Sequence, residues 1–466
     1  MFTPNHLQHL RAATRIFWLG ALVTILNQSC SLAAPGETAP MVAQGSSAST
    51  GNLRVGAAKL EITPTNLNGL NSFGAGFTDV HDPIFARALV LDNGSAMVAV
   101  VALDLIEVGD TSSVRQRIQK ELGIPVDHIL ITASHDHNAP RAGGVTPGGV
   151  AHPNTAETDS YTQTLFDMII VAVKQAKDSL QRSKFGLATG SVDINVNRDQ
   201  YKPQGWGLGY SPDRPSDKTV WVIKFETTSG EPIAILFNYA VHSTVTLGTA
   251  RLGGDLAGEA ERYIEQKYHD KLVALYTMGA AGDQNPRYNG ALPSSAKGSN
   301  GDGMDAQRDP ERSAAAFDAV HAQGFMLGSE VIRVASGMQN LSSSVRIGAT
   351  ERIVSCPTKP GTNMLPDMKQ EQTTSMPLHL GLIRINDVAL TGVSGEVVTN
   401  IYWHLKRASP LSNTVMLTIA NDRLGYIADD AAYDTPLFEV HGSPLARGCA
   451  EDAIVGNLVE MIDQFK

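Results

Sequence analysis

The sequence AMVAVVALD at residues 96–104 reads as a buried β-strand that stops at one acidic residue. A second run of this kind, ILITA at residues 129–133, is followed by the polar cluster SHDHNAP at residues 134–140. Short apolar runs rich in Val and Ile are typical of strands that are buried on both faces, and the segment Thr111–Leu122 between them has a helical pattern. This order of strand, helix and strand predicts an α/β fold.

The same arrangement recurs along the rest of the chain, where strand-like runs end in polar or small-residue clusters. In open α/β sheets, ligands bind at the carboxyl ends of strands because loops and helix starts converge there. We therefore expect one large catalytic domain of mixed sheets flanked by helices, with its site at those strand ends. The further runs are Ile233–Val241, Leu272–Thr277, Val388–Val393 and Val415–Ile419, with helices expected from Asp255 and through Trp403.

The N-terminal region has the composition of an export signal. Arg11 and Arg15 precede an apolar stretch at residues 16–26, and small residues follow it. We therefore predict a signal peptide over residues 1–34 and an exported protein, periplasmic or secreted. Lipid anchoring through Cys30 is the alternative, which the neighbouring Asn and Gln disfavour.

The remainder of the chain is predicted to be a linker followed by one domain. Residues 35–53 are rich in Ala, Ser, Gly and Pro and lack periodicity, so a flexible linker is expected there. Residues 54–466 show no internal repeat or composition shift that would mark a second domain boundary. After removal of the signal, Cys356 and Cys449 remain. In an oxidising compartment these two cysteines either form a disulfide or remain as separate thiols.

The charge balance excludes one class of partner. The chain carries 47 acidic against 37 basic residues, a formal charge of −10. Because nucleic-acid binding rests on clustered Lys and Arg, no nucleic-acid partner is expected. Two polar stretches, Arg287–Ser313 and Pro357–Met376, are too long for ordinary connectors. Each is interpreted either as the rim or lid of a site or as a solvent-exposed loop without a role in the site.

Histidines at the strand ends are the candidate metal ligands. His135 and His137 lie two residues apart, so both rings can address one small volume, and His242 ends another strand. Glu396 is the oxygen candidate, because Gly395 lets the backbone approach closely and the carboxylate is expected at a helix start. There it would equally serve to complement the helix dipole. Hydrolytic zinc sites combine such nitrogen and oxygen ligands with a position left for water, so these residues indicate a metal hydrolase.

Seven short motifs follow one another from Val55 through nearly all of the remaining chain. They are VGAAKLEITP at 55–64, ASHDHNAP at 133–140, NVNRD at 195–199, YAVHST at 239–244, GAAGDQNP at 279–286, SGE at 394–396 and NDRLGYI at 421–427. In this order they resemble the catalytic N-terminal domain of the neutral/alkaline non-lysosomal ceramidase family. The resemblance implies the α/β catalytic fold of that family, here expected without the immunoglobulin-like domain that commonly follows it.

Carried over position by position, the resemblance implies one zinc ion, Zn²⁺, with four protein ligands. A tyrosine ligand suits this chemistry because a nearby zinc ion favours the phenolate. Tyr433 is the substitute candidate for the tyrosine position. The implied ligands are His135, His242, Glu396 and Tyr426.

Three further positions are implied to take part in catalysis, and several residues depart from the family pattern. His137 would stand beside the metal as a polar or acid/base group, and Arg198 would contact the reacting carbonyl or form an ordinary salt bridge. Asn285 replaces a family serine and is expected to orient water or donate to an oxyanion. Phe438 replaces a second tyrosine and Asp136 a small hydroxyl residue, so specificity for ceramide itself is in doubt.

These observations predict an exported zinc-dependent hydrolase that cleaves the amide bond of an N-acyl substrate by zinc-activated water. The substrate is ceramide-like or another small amide, and a lipid substrate would bring the enzyme peripherally close to a membrane. Two other classes stay open. One is a metallophosphoesterase in which Asp104, Asp255 and Asp283 supply carboxylates for two metals. The other is a non-catalytic exported binding protein that retains the fold.

Overall fold

Strands with apolar residues on both faces form the centre of the protein. In the strand Phe85–Asp92, Ala86 and Val90 pack on one side, while Leu89 and Leu91 pack on the other. Successive side chains of a strand point to opposite faces, so such a strand needs an apolar layer on each side. The chain supplies helices on one side and a second sheet on the other.

The computed structural model describes residues 49–71, 76–142, 155–288, 310–359 and 374–465. These residues belong to one compact unit that spans Gly45–Lys466.

The strands in chain order are β1 (Thr50–Asn52), β2 (Arg54–Glu61), β3 (Asp79–Val80), β4 (Phe85–Asp92), β5 (Met97–Leu103), β6 (Ile129–Ala133), β7 (Gln181–Ser191), β8 (Asn195–Lys202), β9 (Gly205–Ser211), β10 (Thr219–Thr227), β11 (Pro232–Tyr239), β12 (Arg251–Leu252), β13 (Val273–Met278), β14 (Gln284–Pro286), β15 (Ser344–Pro357), β16 (Ser375–Ile385), β17 (Val388–Val393), β18 (Glu396–Val397), β19 (Asn413–Leu417) and β20 (Tyr426–Ile427). The helices are α1 (Ser112–Leu122), α2 (Ala156–Asp178), α3 (Asp255–Lys267), α4 (Pro310–Gly337), α5 (Thr399–Ala408), α6 (Phe438–Gly442) and α7 (Ala450–Asp463). None of the described helices is both long and apolar enough to cross a bilayer.

Two large sheets form the middle layers. One has eight strands in the order β13-β11-β10-β7-β2-β4-β5-β6, and the other has five in the order β1-β15-β16-β17-β19. In these two sheets the described parallel pairs are β5 with β6, β11 with β13 and β17 with β19, and the other pairs are antiparallel. The strand and helix alternation in the sequence therefore located the parallel pairs, whereas the antiparallel strands between them carried no comparable signal.

Three apolar clusters join the layers in the order helices, sheet, sheet, helices. The first packs α1 to α4 against the eight-stranded sheet, and the second fills the space between the sheets, where Leu91 of β4 and Leu390 of β17 belong to one cluster. The third packs α5 and α7 on the outer face of the five-stranded sheet. The predicted class, α/β with mixed sheets flanked by helices, is confirmed.

One predicted boundary is wrong. The linker expected over residues 35–53 ends earlier, because Thr50–Asn52 forms the edge strand β1 and pairs with β15, with Asn52 opposite Ser344. The backbone hydrogen bonds of that ladder order a segment whose composition alone indicates a coil. The predicted signal peptide, and residues 289–309 and 360–373 of the two proposed rim segments, lie outside the described residues.

A disulfide joins Cys356 to Cys449, which settles the alternative that the sequence left open. Cys356 is the second-last residue of β15 and Cys449 directly precedes α7, at a sequence separation of 93. The bridge fastens the C-terminal helix layer to the five-stranded sheet.

A buried arginine ties the eight-stranded sheet to α3. Arg87 is fully buried, and its guanidinium nitrogens lie 2.8 Å from Asp104, 2.7 Å from Glu261 and 3.3 Å from Glu265. A buried charge is tolerated when opposite charges surround it. Asp104, which follows the strand β5, therefore belongs to this buried ion-pair cluster.

Candidate metal centre

Three histidines and one glutamate meet where the strands β6, β11 and β17 end. His135 and His137 follow β6, and His242 follows β11. Glu396 comes three residues after β17 ends. The structure thus brings together four of the residues selected from the sequence.

The donor atoms of these side chains lie at ligand spacing. His135 Nε2 is 3.1 Å from Glu396 Oε2 and 3.2 Å from His137 Nε2, and His242 Nε2 is 3.2 Å from the same Glu396 oxygen. Ligands at about 2.0–2.1 Å from a tetrahedral zinc ion stand about 3.4 Å apart. Among the described residues, the three histidines also form the one group of three or more potential metal ligands within 4.8 Å of each other. The residues present therefore fit a single ion.

Backbone carbonyls orient two of the rings. His135 Nδ1 donates to the Ile106 carbonyl at 2.7 Å, and His242 Nδ1 donates to the Gln284 carbonyl at 3.1 Å. This leaves each Nε2 free of hydrogen and available to a metal, as is typical of ligating histidines. His135 also has a φ of +58°, a strained conformation for a residue with a side chain. The strained residue is thus the one whose ring contacts both Glu396 and His137.

The environment of the cluster favours the metal-binding forms of Glu396, His242 and His137, whereas Glu396 favours the protonated form of His135 as long as no metal is bound. Burial alone would raise the pKa of Glu396, but the His135 ring holds that pKa well below its usual value. Burial, together with Arg198, lowers the pKa of His242 to about 3. Burial and the two neighbouring rings also lower the pKa of His137 well below its usual value. Burial opposes the charge on His135, but Glu396 outweighs it and raises the pKa of His135.

Glu396 is positioned by a strand and not by a helix start, so that part of the sequence interpretation is wrong. It lies in β18, whereas α5 begins at Thr399. The close backbone approach expected at Gly395 is present, because a Cβ there would lie 2.6 Å from Ile427 Cδ1 and 2.9 Å from the Gly425 carbonyl.

Tyr426 lies beside the cluster, and Tyr433 makes a different contact. Tyr426 sits directly opposite Glu396 in the β18–β20 ladder, and its ring is stacked with that of His242 at a centroid distance of 6.5 Å. The Tyr433 hydroxyl instead donates to the Leu445 carbonyl at 2.9 Å. Of the two tyrosines, Tyr426 is therefore the one in reach of the histidines.

Arg198 forms a buried ion pair and also reaches the metal ligands. Its Nε donates to Glu439 at 2.7 Å, while its Nη1 lies 3.2 Å from His242 Nε2 and 3.3 Å from Asn285 Oδ1. The salt bridge that the sequence allowed for Arg198 is therefore present, and its contact with a reacting carbonyl stays a prediction. Glu439 was missed, because an acidic residue at the start of a short helix is common and carries no signal of its own. Phe438 packs edge-on against the Tyr426 ring at 5.5 Å.

The three aspartates named for a two-metal site are engaged elsewhere. Asp104 pairs with Arg87, and Asp255, the first residue of α3, accepts the backbone amides of Thr246 and Leu256. Asp283 accepts the backbone amide and hydroxyl of Thr399. In the part of the chain that the structure describes, no group of three potential ligands includes them. The geometry therefore does not favour a phosphoesterase with two metals.

The family assignment follows from comparison with known proteins. The family described as "Neutral/alkaline non-lysosomal ceramidase, N-terminal" matches residues 54–354. The chain belongs to this ceramidase family. Neutral ceramidase A of Dictyostelium discoideum is 26% identical over 254 residues, which cover 48% of this chain and 34% of the relative. Neutral ceramidase B of the same organism is 26% identical over 183 residues, which cover 35% of this chain and 24% of the relative. The matches thus span about a third or less of these ceramidases.

Solved ceramidase structures share the fold. The neutral ceramidase from Pseudomonas aeruginosa has a TM-score of 0.67 at 16% identity, covering 88% of this chain and 74% of that chain. A structure described as ceramidase complexed with C2 has a TM-score of 0.66 at 18% identity, covering 88% and 75%. The likeness therefore extends over most of the described sheets and helices.

Asp136 occupies the position at which the ceramidase resemblance places a small hydroxyl residue, and it is completely buried. Its Oδ1 accepts the Asn138 backbone amide at 2.8 Å, and its Oδ2 has no hydrogen-bond partner among the described residues. Burial, with Asp255 nearby, raises the pKa of Asp136 well above its usual value. The folded protein therefore keeps this carboxyl protonated at pH values where the unfolded chain ionises it.

The variant Asp136→Asn is expected to be more stable than the wild type at neutral pH. Above the unfolded pKa of 3.8 the folded state binds the extra proton, so wild-type stability falls with rising pH until the folded pKa is reached. The asparagine has no such cost, so its advantage should grow by about 1.4 kcal/mol per pH unit over that range. Denaturant unfolding at pH 5 and pH 7 measures this. The control Asp178→Asn, at a side chain that is 60% exposed, should show no pH-dependent gain. An equal effect of Asp136→Asn at both pH values would contradict the assignment.

Proposed function

We propose that this member of the ceramidase family is an exported, zinc-dependent hydrolase that cleaves the amide bond of an N-acyl substrate. The observation that carries the proposal is the convergence of His135, His242 and Glu396: the two Nε2 atoms lie 3.1 Å and 3.2 Å from the same Glu396 oxygen. The Nδ1 atoms of both rings are engaged by carbonyls, so the Nε2 atoms are left for a metal.

His135, His242 and Glu396 would hold the ion, with Tyr426 as the fourth protein ligand. Zinc, when bound, supplies a Lewis acid that polarises the amide carbonyl and makes water a better nucleophile at neutral pH. The depressed pKa values of Glu396 and His242 keep the carboxylate ionised and that imidazole neutral near pH 7. Neither group then needs to lose a proton before it can bind the metal.

His137 is the candidate acid/base group. Its lowered pKa keeps the ring neutral, and its Nε2 lies 3.2 Å from His135 Nε2, at the edge of the donor cluster. From there it would accept the proton of the attacking water and return it to the departing amine nitrogen. His137 is then neutral again at the end of the reaction, and the proton has passed from the water to the amine.

Arg198 and Asn285 are the candidate donors to the oxygen of the tetrahedral intermediate. The Arg198 guanidinium is held by Glu439 and lies beside His242, so it would not need to reorganise during the reaction. Asn285 turns its oxygen to Arg198, which leaves its amide hydrogens as donors. Fixed donors of this kind are typically worth about 3–4 kcal/mol of transition-state stabilisation.

Export is supported by the charge and hydrophobicity pattern of residues 1–34 and by the disulfide between Cys356 and Cys449. Disulfides persist mainly in oxidising compartments. Cell fractionation with N-terminal sequencing tests this part of the proposal. Mature protein found only in the cytoplasm with its first residues intact would contradict it.

The activity is tested with purified protein, elemental analysis and a panel of N-acyl amides and phosphoesters. We expect about one zinc per chain and hydrolysis of amides that a chelator abolishes and added zinc restores. Hydrolysis of phosphoesters alone would replace the proposal with a phosphoesterase. Substrate that binds but is never cleaved would indicate a binding protein, the alternative that the Asn285 and Phe438 replacements support.

A further inference from the structure

A small cavity opens directly onto two of the candidate metal ligands. Its volume is about 120 Å³, and Glu396 and Tyr426 line it together with Glu107 and Arg423. Sites for drug-sized ligands are roughly 300–1,000 Å³. This cavity therefore suits a group of a few heavy atoms and not a long acyl chain.

Arg423 lines this cavity and carries a buried donor that the described residues leave without an acceptor. The residue is 7% exposed, its Nη1 donates to Glu107, and its Nε has no hydrogen-bond partner among the described residues. A buried guanidinium hydrogen without an acceptor costs free energy, and a carboxylate is the acceptor whose geometry best matches a guanidinium edge.

A second guanidinium, that of Arg141, lies near Arg423 and Glu107. Arg141 is 5% exposed and interacts electrostatically with both Glu107 and Arg423. Burial lowers the pKa of Arg141, and Arg423 lowers it further. A nearby anion stabilises the charged forms of two neighbouring guanidinium groups. Glu107 is the carboxylate that interacts with both of them.

The loop that carries Arg423 is held in one conformation. Asn421 Oδ1 accepts the Ile131 backbone amide at 2.9 Å, and its Nδ2 donates to the Ile129 carbonyl at 3.0 Å. Ile419 and Asn421 have φ values of +49° and +65°, which the surrounding contacts must maintain. Arg423 is therefore placed beside the metal ligands before any ligand arrives, which lowers the entropic cost of binding.

We propose that this cavity binds a carboxylate on the amine half of the scissile amide through Arg423, so that the substrates are N-acyl amino acids. The inference rests on the proposed amide hydrolysis and specifies its substrate class. The cavity would take the amino-acid portion, and the acyl chain would leave the metal centre in another direction. A neutral amine half of similar size offers the Arg423 Nε only an uncharged acceptor, which a guanidinium binds less strongly than a carboxylate.

The test compares N-octanoylglycine with N-octanoylglycinamide, which differ in the carboxylate alone. Hydrolysis is followed by amine release with the zinc-loaded protein. Binding is measured separately by calorimetry with the ketone isosteres of both compounds, in which CH₂ replaces the amide NH and cleavage is impossible. We expect the carboxylate forms to be preferred by about tenfold or more, the usual size of one charge-assisted hydrogen bond. In Arg423→Gln the preference should fall to about twofold or less, while Arg423→Lys retains part of it.

Two further variants keep the result decisive. Glu107→Gln removes the competing carboxylate and should strengthen binding of the anionic ketone, and this variant decides the matter if Arg423→Gln fails to fold. Arg447→Gln, at an arginine that is 50% exposed and paired with Asp434, should leave the preference unchanged. Equal use of both amides by the wild type, or a preference that survives Arg423→Gln, would overturn the inference and leave amide hydrolysis standing. Cleavage of neither amide, with Arg423-dependent binding of the anionic ketone, would sink the proposed activity and leave the anion site standing.

Discussion

Replacement of His135 or His242 with alanine is expected to abolish the proposed zinc binding and to lower the proposed amide hydrolysis by more than about 100-fold. Loss of residues that merely orient metal ligands typically costs 10–100-fold in metal affinity or activity, so loss of a ligand itself should cost more. Each ring has its Nδ1 bound to a carbonyl, so its Nε2 is held in place at the candidate metal position. Zinc content by elemental analysis and kcat/KM for the best amide in the panel measure the two effects.

Two matched variants separate ligation from other roles. His137→Ala should retain most of the zinc and lose rate, because the proposed role of His137 is proton transfer. His321→Ala, at a ring that is 57% exposed and paired with Glu259, should change neither quantity. Full zinc content in both His135→Ala and His242→Ala would show that the cluster is not the metal centre. Loss of zinc in His137→Ala would show that His137 is a ligand.

Loss of the disulfide is expected to lower the free energy of unfolding by about 3–4 kcal/mol. Closure of a loop of this length corresponds to about 4–5 kcal/mol from chain entropy, and measured values are commonly somewhat smaller. The loop between Cys356 and Cys449 contains Glu396 and Tyr426, so the bridge restrains the part of the chain that supplies half of the candidate ligands. Denaturant unfolding of the double variant Cys356→Ser and Cys449→Ser measures the change.

A reducing agent provides the matched control. It should bring the wild type to the stability of the double variant and leave the variant itself unaffected. Because serine places a hydroxyl at a position that is fully buried for Cys356, the corresponding alanine variants separate this polar cost from the loss of the bridge. Unchanged stability of the wild type under reduction would mean that the bridge does not restrain the unfolded chain as proposed.

Much of the centre could be located from sequence because its signals are local. His135 and His137 stand two apart at the end of an apolar run, and His242 ends another, so strand periodicity alone predicted that the rings point toward common volumes. Gly395 signalled a close backbone approach by its lack of a side chain, and a Cβ at that position would indeed overlap Ile427. These features depend on residues within a few positions of each other.

Other parts of the centre had no local signal. The carbonyl of Ile106 orients His135, and every residue has a carbonyl, so nothing in the side chain could reveal this contact. Glu439 lies 241 positions from Arg198, and its pairing depends on how the short helix α6 packs. Glu396 was expected at a helix start, because a two-residue strand such as β18 is too short to show a periodicity.

The sequence by itself determined the apolar strands that alternate with helices, the family, and the types of side chain in the candidate metal centre. Each of these follows from the order and spacing of neighbouring residues. The tertiary structure alone decided that β1 continues the five-stranded sheet, that Cys356 and Cys449 pair, and that Glu396 faces both His135 and His242. It also decided that Arg423 lines the small cavity beside Glu396 and Tyr426. The reason is physical: distances between residues remote in sequence are set by how the sheets and helices pack against each other, and that packing is a property of the whole chain and of no single segment.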